Sequence, residues 1–148
     1  MPSSVKKRMR TGELGEAAFL HKAMSLGFRV SKPFAVERYD FIVCHGNHVW
    51  RVQVKATGRR VRDLYAVGSA HRRALKYHHY RPSEIDFFAM YIEPEDTWYI
   101  IPAAVACFHT CLYLYSRAKC EQAGVKHAGR PGGSFEPYRE AWHLLKGK

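Results

Sequence analysis

Three polar residues of the types found in metal-dependent hydrolases lie near one another in the sequence: Asp40, Gln53 and Lys55. A carboxylate and an amide oxygen are ligands that Mg²⁺ accepts, and the main-chain oxygen of Val54 is a third candidate. A charged lysine cannot bind a cation, but it can stabilise a phosphate or orient the water that attacks it. These residue types predict a site for phosphodiester hydrolysis.

A β-hairpin would bring these residues together. Residues 39–44 and 48–56 alternate between polar and apolar side chains, and a Gly-Asn pair between them can form a tight turn. With that turn, Asp40 lies opposite Gln53, and Lys55 is a diagonal neighbour within side-chain reach. A shift of the register by one residue would mix the polar and apolar faces, so the pattern itself favours this pairing.

The remaining segments predict an α/β fold, with a helix, a three-stranded antiparallel meander, a second helix, further strands and a C-terminal helix. Residues 1–10 are predicted to be a flexible basic arm, and residues 11–148 a single domain. The predicted elements are a helix at 12–26 capped by Thr11, strands at 28–34, 39–44 and 48–56, a helix at 69–77, a hairpin of strands 87–92 and 97–101, and helices at 103–108 and 135–146.

Composition restricts the class of partner. The chain has 148 residues and a formal net charge of +11, which favours a polyanion, and nucleic acid more than a membrane surface. The basic N-terminus contains no apolar segment typical of a signal peptide. The four cysteines lack the paired spacing of metal ligands, so we expect reduced thiols in a cytoplasmic protein.

The order of the polar residues resembles the PD-(D/E)XK nuclease superfamily once Glu16 is included: a helix glutamate, Tyr39-Asp40 in one strand, and Gln53-Val54-Lys55 in the next. Within that superfamily the chain is most similar to the group I intron-associated homing endonucleases, which have a Gln-x-Lys version of the motif. Residues 11–57 carry the resemblance, and residues 84–89 and 98–102 add support. The resemblance implies a restriction-endonuclease-like core.

The resemblance also implies a role for each residue. Asp40 would be the principal metal ligand, Gln53 would replace the usual acidic ligand, and Lys55 would be the active-site lysine. Glu16 would contact the metal or its water, whereas Glu13 lies in the first turn of the predicted helix and more simply favours its dipole. Mg²⁺ is the implied cofactor, with Mn²⁺ as a substitute. A neutral Gln53 weakens cation binding and leaves open a protein that binds DNA without cutting it.

Basic residues near the motif are the candidate contacts to DNA phosphates: Arg51, Arg59, Arg60, Arg62, Arg72, Arg73 and Lys76. Cleavage of both strands needs two active sites, so a homodimer is expected, and the intron-associated group implies a homotetramer. Three functions stay open at this point. They are a homing-type endonuclease on double-stranded DNA, a structure-specific nuclease similar to a Holliday-junction resolvase, and a non-catalytic nucleic-acid-binding module.

Overall fold

The computed structural model describes residues 3–123 and 135–147, which form a mixed α/β fold, as predicted. None of the helices in these two ranges is long and apolar enough to cross a membrane. In chain order, the elements are α1 (Ser3–Ser25), β1 (Arg29–Ser31), β2 (Phe41–His45), β3 (His48–Thr57), β4 (Arg60–Val61), β5 (Leu64–Gly68), β6 (Ala70–Arg73), β7 (Lys76–His79), β8 (Phe87–Ile92), β9 (Thr97–Pro102), α2 (Ala103–Ala106), β10 (Cys111–Tyr115) and α3 (Arg117–Ala123).

The central sheet has five strands in the order β1-β2-β3-β8-β9. The predicted three-stranded antiparallel meander is confirmed, since β1 pairs with β2 and β2 with β3 in antiparallel fashion. The hairpin register is also confirmed, because Phe41 lies opposite Val52 and His45 opposite His48. Strand β8 adds in parallel to β3, and β9 returns beside β8 as the predicted second hairpin.

Helix α1 packs on one face of this sheet through an aromatic cluster. Phe19 is fully buried and stacks on Phe41 of β2, with ring centroids 5.3 Å apart. Gly15 allows the helix to approach β3 closely, because a Cβ atom at this position would lie only 2.6 Å from the Cβ of Ala56. This close contact brings the middle of α1, which contains Glu16, down to the strand that carries Gln53 and Lys55.

The other face of the central sheet is covered by a second group of strands. A three-stranded sheet in the order β10-β5-β4 lies there, and buried residues such as Tyr65, Phe88 and Leu114 form a second core cluster. Strands β6 and β7 pair only with each other among the described residues. The sequence analysis did not predict strands β4, β5 and β10 or helix α3.

The predicted helix at 69–77 is wrong, because these residues form β6, a turn and the first half of β7. The chain reverses at Ala74 and Leu75, which have φ angles of 49° and 64°. Ser69 is anchored at the start of the segment, since its amide donates to the Thr110 carbonyl and its hydroxyl to the His109 carbonyl. These contacts to a distant loop outweigh a local preference for helix.

Both ends of the chain also differ from prediction. Helix α1 already begins at Ser3, so Thr11 lies inside the helix rather than at its N-cap. The flexible basic arm expected for residues 1–10 stays a prediction. The predicted closing helix at 135–146 is wrong as well. It is replaced by two short 3₁₀ segments, Glu136–Tyr138 and Trp142–Lys146, because Glu140 between them adopts a left-handed φ of 49°.

Candidate active site

Asp40 immediately precedes β2 and lies directly beside the centre of β3. Its amide donates to the Val52 carbonyl at 3.0 Å, and its Oδ2 accepts a hydrogen bond of 2.9 Å from the Val54 amide. The carboxylate is therefore fixed against the strand that carries Gln53 and Lys55. This is the arrangement expected from the hairpin register, and the backbone of β3 holds it in place.

Gln53 is buried, with 8% of its surface exposed. Its Nε2 donates to the main-chain oxygen of Val54 at 3.3 Å, so the amide covers the oxygen that was predicted to bind metal. The two ends of an amide have nearly the same shape. A 180° rotation of the amide would place Oε1 beside the Val54 oxygen, where both could face one cation.

Glu16 on α1 lies close enough to Asp40 for its charge to affect the pKa of that carboxyl. Its Oε2 is 3.2 Å from Nζ of Lys32, which follows β1. Glu13 is exposed, which supports the choice of Glu16 over Glu13 as the helix carboxylate of the site. The sequence analysis missed Lys32, because this residue lies outside the β2–β3 hairpin. Only the packing of α1 beside β1 brings Lys32 close to Glu16.

Electrostatics around Asp40 favour a cation. Burial of Asp40 is the largest cause of its raised pKa, and the negative charge of Glu16 adds to the shift. The hydrogen bond from Val54 and the positive charges of Lys55 and Lys32 oppose it. Two neighbouring carboxylates, one of them largely removed from water, are stabilised as anions when a divalent cation binds between them.

The donor set fits Mg²⁺ rather than a softer metal. The described residues contain no group of three or more His, Cys, Asp or Glu side chains arranged for metal binding. Two carboxylates, Asp40 and Glu16, would therefore act together with the neutral oxygens of Gln53 and Val54. A hard cation that keeps several waters suits such a site, because it needs few protein ligands.

Lys55 is held by a residue that lies 25 positions later in the sequence. Its Nζ donates to the hydroxyl of Tyr80 at 3.2 Å and lies 5.0 Å from the centre of that ring. Tyr80 is itself buried, and the guanidinium of Arg38 packs on its ring at 4.2 Å. Neither Tyr80 nor Arg38 was assigned a role at the site from the sequence, because their contacts depend on the path of the chain after β7.

Arg51 makes a different contact from the one predicted. Its Nε and Nη2 donate to the two carboxylate oxygens of Asp86, each at 3.0 Å, and its Nη1 donates to the Ser83 carbonyl at 2.6 Å. Burial acts to raise the pKa of Asp86, but the hydrogen bonds from Arg51 outweigh it and lower that pKa. The guanidinium is thus engaged within the protein, and a contact of Arg51 with DNA stays a prediction.

The other predicted DNA contacts lie on two exposed parts of the chain. Strand β4 and its flanks follow the motif strand directly, and strands β6 and β7 form a separate hairpin. The first part carries Arg59, Arg60 and Arg62, whose side chains are exposed, and the second carries Arg73 and Lys76, also exposed, with Arg72 in register with Tyr77.

Comparisons with known proteins identify a family and a similar fold. Residues 6–129 match the model of a family described as PD-(D/E)XK endonuclease. The fold is similar to that of a bacterial homing endonuclease, I-Ssp6803I, with a TM-score of 0.76 and 25% sequence identity. That match covers 94% of this chain and 93% of the other. No curated protein matches the sequence closely enough to count as a relative.

Proposed function

Because the chain belongs to the PD-(D/E)XK endonuclease family, we propose that it is a Mg²⁺-dependent, site-specific endonuclease of double-stranded DNA, of the homing type. The observation that carries this proposal is the meeting of Glu16, Asp40 and Lys55, from three different elements, at one partly buried point. The likeness to a homing endonuclease over nearly the whole chain supports the homing type.

The cation would be held by the Asp40 carboxylate, the Glu16 carboxylate and the oxygens of Gln53 and Val54. When bound, Mg²⁺ lowers the pKa of water and neutralises charge on the phosphate, and Mn²⁺ can supply the same chemistry. Asp40 supports this role because its carboxylate is oriented by the Val54 amide. Glu16 would give up its contact with Lys32 to hold the cation, and Lys32 would then be available to the phosphate.

Lys55 would donate a hydrogen bond to the phosphate or orient the attacking water. Its position supports this role, because Nζ is held by one neutral hydroxyl and keeps further N–H donors for a substrate. Arg38 packs on the ring of Tyr80 and is ion-paired with Glu84 at 3.4 Å, so Lys55 and Arg38 place two positive groups near the site. Positive groups placed where charge develops in the reaction stabilise its transition state.

The assembly we propose is a homodimer or a homotetramer in the cytoplasm. One chain supplies one such site, and cutting a duplex requires two cuts in antiparallel strands. A net charge of +11 favours contact with the phosphates of both strands, and the exposed arginines around β4 are candidate anchors beside the site.

A non-catalytic DNA-binding module is the second candidate, and one contact favours it. Gln53 is neutral, and its amide nitrogen faces the Val54 oxygen. If the amide stayed in that orientation, the oxygens of Gln53 and Val54, two of the four proposed ligands, could not bind a cation. The fold would then bind DNA without cutting it.

Cleavage of genomic DNA from the source organism tests the proposal, with wild type beside Lys55→Ala and with all new ends sequenced. Discrete ends that require Mg²⁺ and vanish in the variant are the expected result. Scattered ends that also vanish would keep the nuclease and point to branched or non-specific substrates. No ends despite salt-sensitive DNA binding would favour the non-catalytic module, and undiminished cutting by the variant would contradict the role of Lys55.

A further inference from the structure

Strands β6 and β7 form a two-stranded ribbon, residues 70–79, that stands apart from the two larger sheets. Its turn contains Ala74 and Leu75, both with positive φ, and turns of this kind match the right-handed twist of a hairpin. Each strand has four residues, so the ribbon is about 13 Å long at roughly 3.3 Å per residue. A two-stranded ribbon is one of the shapes that the major groove of B-DNA admits.

The surface of the ribbon consists mainly of hydrogen-bond donors. Residues 70–79 contain two arginines, one lysine and three histidines, and no acidic residue. All four residues of β7 are exposed, and so is Arg73 of β6. Leu75 at the tip is 85% exposed, and an apolar side chain there contributes nothing to a core. A surface that is rich in donors and contains no acidic residue favours binding to the phosphates and base edges of a nucleic acid.

The register of the ribbon groups its donors on one face. His71 pairs with His78, and Arg73 pairs with Lys76, so these four side chains lie on the same side of the hairpin. In the major groove, guanine presents its N7 and O6 atoms as acceptors, and arginine or lysine reads them most often. Leu75 at the tip could contact a thymine methyl group in the same groove.

The base of the ribbon is attached to the candidate active site. The residue after β7 is Tyr80, whose hydroxyl accepts the hydrogen bond from Lys55. Arg38, which lies shortly before Asp40, donates from Nη2 to the His79 carbonyl at 3.3 Å. A cleft of about 680 Å³ lies beside the ribbon, lined also by Arg38, Arg81 and Glu84, of which Arg38 and Glu84 are ion-paired. The ribbon and the reacting groups therefore have a fixed spatial relation.

That relation limits where the ribbon can reach. Tyr80 at the site is the fifth residue after Leu75 at the tip, and these five steps span at most about 17 Å of extended strand. Base pairs of B-DNA are spaced about 3.4 Å apart, so the tip reaches about five base pairs from the scissile phosphate at most.

We propose that the β6–β7 ribbon enters the major groove and reads base pairs beside the cut, with Arg73 as a base-contacting residue. This inference rests on the proposed function in one respect, since it needs a DNA duplex at the active site. It gives the ribbon a role in sequence specificity, whereas contacts with phosphates alone would contribute only to affinity.

Sequence selection tests the ribbon separately from cleavage. Duplexes with a random central segment are selected for binding in Ca²⁺ and, in parallel, for cleavage in Mg²⁺, using wild type, Arg73→Lys and Arg73→Ala. Arg73→Lys keeps the charge and removes the planar pair of donors that reads guanine. Arg29→Lys, at an exposed position on β1, is the matched control.

The expected result is a wild-type motif in which both Arg73 variants lose preference by about tenfold at one or two adjacent positions. Those positions should lie within about five base pairs of the cut, and Arg29→Lys should keep the full motif. An Arg73→Ala variant that binds all sequences more weakly, beside an Arg73→Lys variant with the wild-type motif, would show a phosphate contact and overturn the proposal. An unchanged motif in both Arg73 variants, or the absence of any bound motif, would overturn it too.

A bound motif without cleavage would refute the proposed nuclease, and the binding selection would still decide on the ribbon.

Discussion

At the scale of single residues, the site combines groups that the hairpin brings together with groups that only the tertiary fold supplies. Strand pairing brings Asp40 and Gln53 together. The side chain of Lys55 is held by a hydrogen bond to Tyr80, and that of Glu16 by a hydrogen bond from Lys32. Tyr80 contacts Lys55 and not the reacting atoms, so its role is to position the lysine. A hydroxyl suits this task, because it accepts one N–H of Lys55 without neutralising the charge.

Replacement of Tyr80 by phenylalanine should slow cleavage about tenfold, because loss of one hydrogen bond to a charged group is worth about 1.5 kcal/mol. The ring that packs against Arg38 and Phe88 is retained, so stability and DNA affinity in Ca²⁺ should change little. Single-turnover cleavage of a bound duplex is the measurement.

A double-mutant comparison separates positioning from a general structural effect. In a background of Lys55→Ala, the change Tyr80→Phe should have no additional effect on residual cleavage, because the lysine that it positions is absent. A further tenfold loss in that background would mean that Tyr80 acts by another route.

At the scale of elements, the approach of α1 to β3 determines whether Glu16 reaches the site. The helix can lie this close because Gly15 has no side chain where Ala56 projects from the strand. The glycines at 12, 15 and 27 therefore have different structural roles. Gly15 permits the close approach to β3, Gly27 ends the helix with a φ of 88°, and Gly12 has open space around it.

Gly15→Ala should destabilise the fold by about 1–3 kcal/mol, because the added methyl group overlaps the Cβ of Ala56 and forces the helix away from the sheet. Gly12→Ala is the matched control in the same helix. It should stabilise the fold by about 0.5–1 kcal/mol, because nothing lies within 4 Å of the new methyl and alanine favours helix.

Urea unfolding of both variants measures this difference. We also expect Gly15→Ala to reduce cleavage, since Glu16 moves with the helix, whereas Gly12→Ala should leave cleavage unchanged. Equal stability of the two variants would contradict the packing of α1 described above.

At the scale of the whole molecule, the C-terminal segment is attached to the second core by a half-buried polar network. Glu136 accepts hydrogen bonds from Tyr99 at 2.6 Å, from Arg139 at 2.9 Å and from Cys120 at 3.2 Å. Burial acts to raise the pKa of Glu136, but these hydrogen bonds, that of Arg139 first, outweigh it and lower the pKa. Burial and the bond to Glu136 raise the pKa of the Cys120 thiol to about 11, so that the thiol stays protonated.

This network makes stability depend on pH in a defined direction. A carboxyl with a lower pKa in the folded than in the unfolded state stabilises the fold above its unfolded pKa, and this contribution is lost as the pH falls. The free energy of unfolding should therefore decrease from neutral pH to below about pH 4, where unfolded glutamate becomes protonated. Glu136→Gln should lower stability at pH 7 and flatten this part of the profile. Parallel profiles for wild type and variant would contradict the role of Glu136.

The sequence by itself determined the features that depend on neighbouring residues. Alternation of polar and apolar side chains over 39–56 sufficed for the motif hairpin and its register, because a shifted pairing would bury polar groups. The same reasoning located the hairpin of β8 and β9, and the motif in that context indicated the family. Net charge alone predicted a polyanionic partner and no particular fold.

Only the tertiary structure decided the features that rest on contacts between distant segments. Residues 69–77 have a composition that suits a helix, but hydrogen bonds between Ser69 and the loop before β10 and the turn at 74–75 make them a ribbon. Tyr80 comes to Lys55, and Asp86 to Arg51, across stretches of chain that no local pattern spans. Such contacts are selected by the packing of whole elements, which adds burial and hydrogen bonding that local propensity does not include.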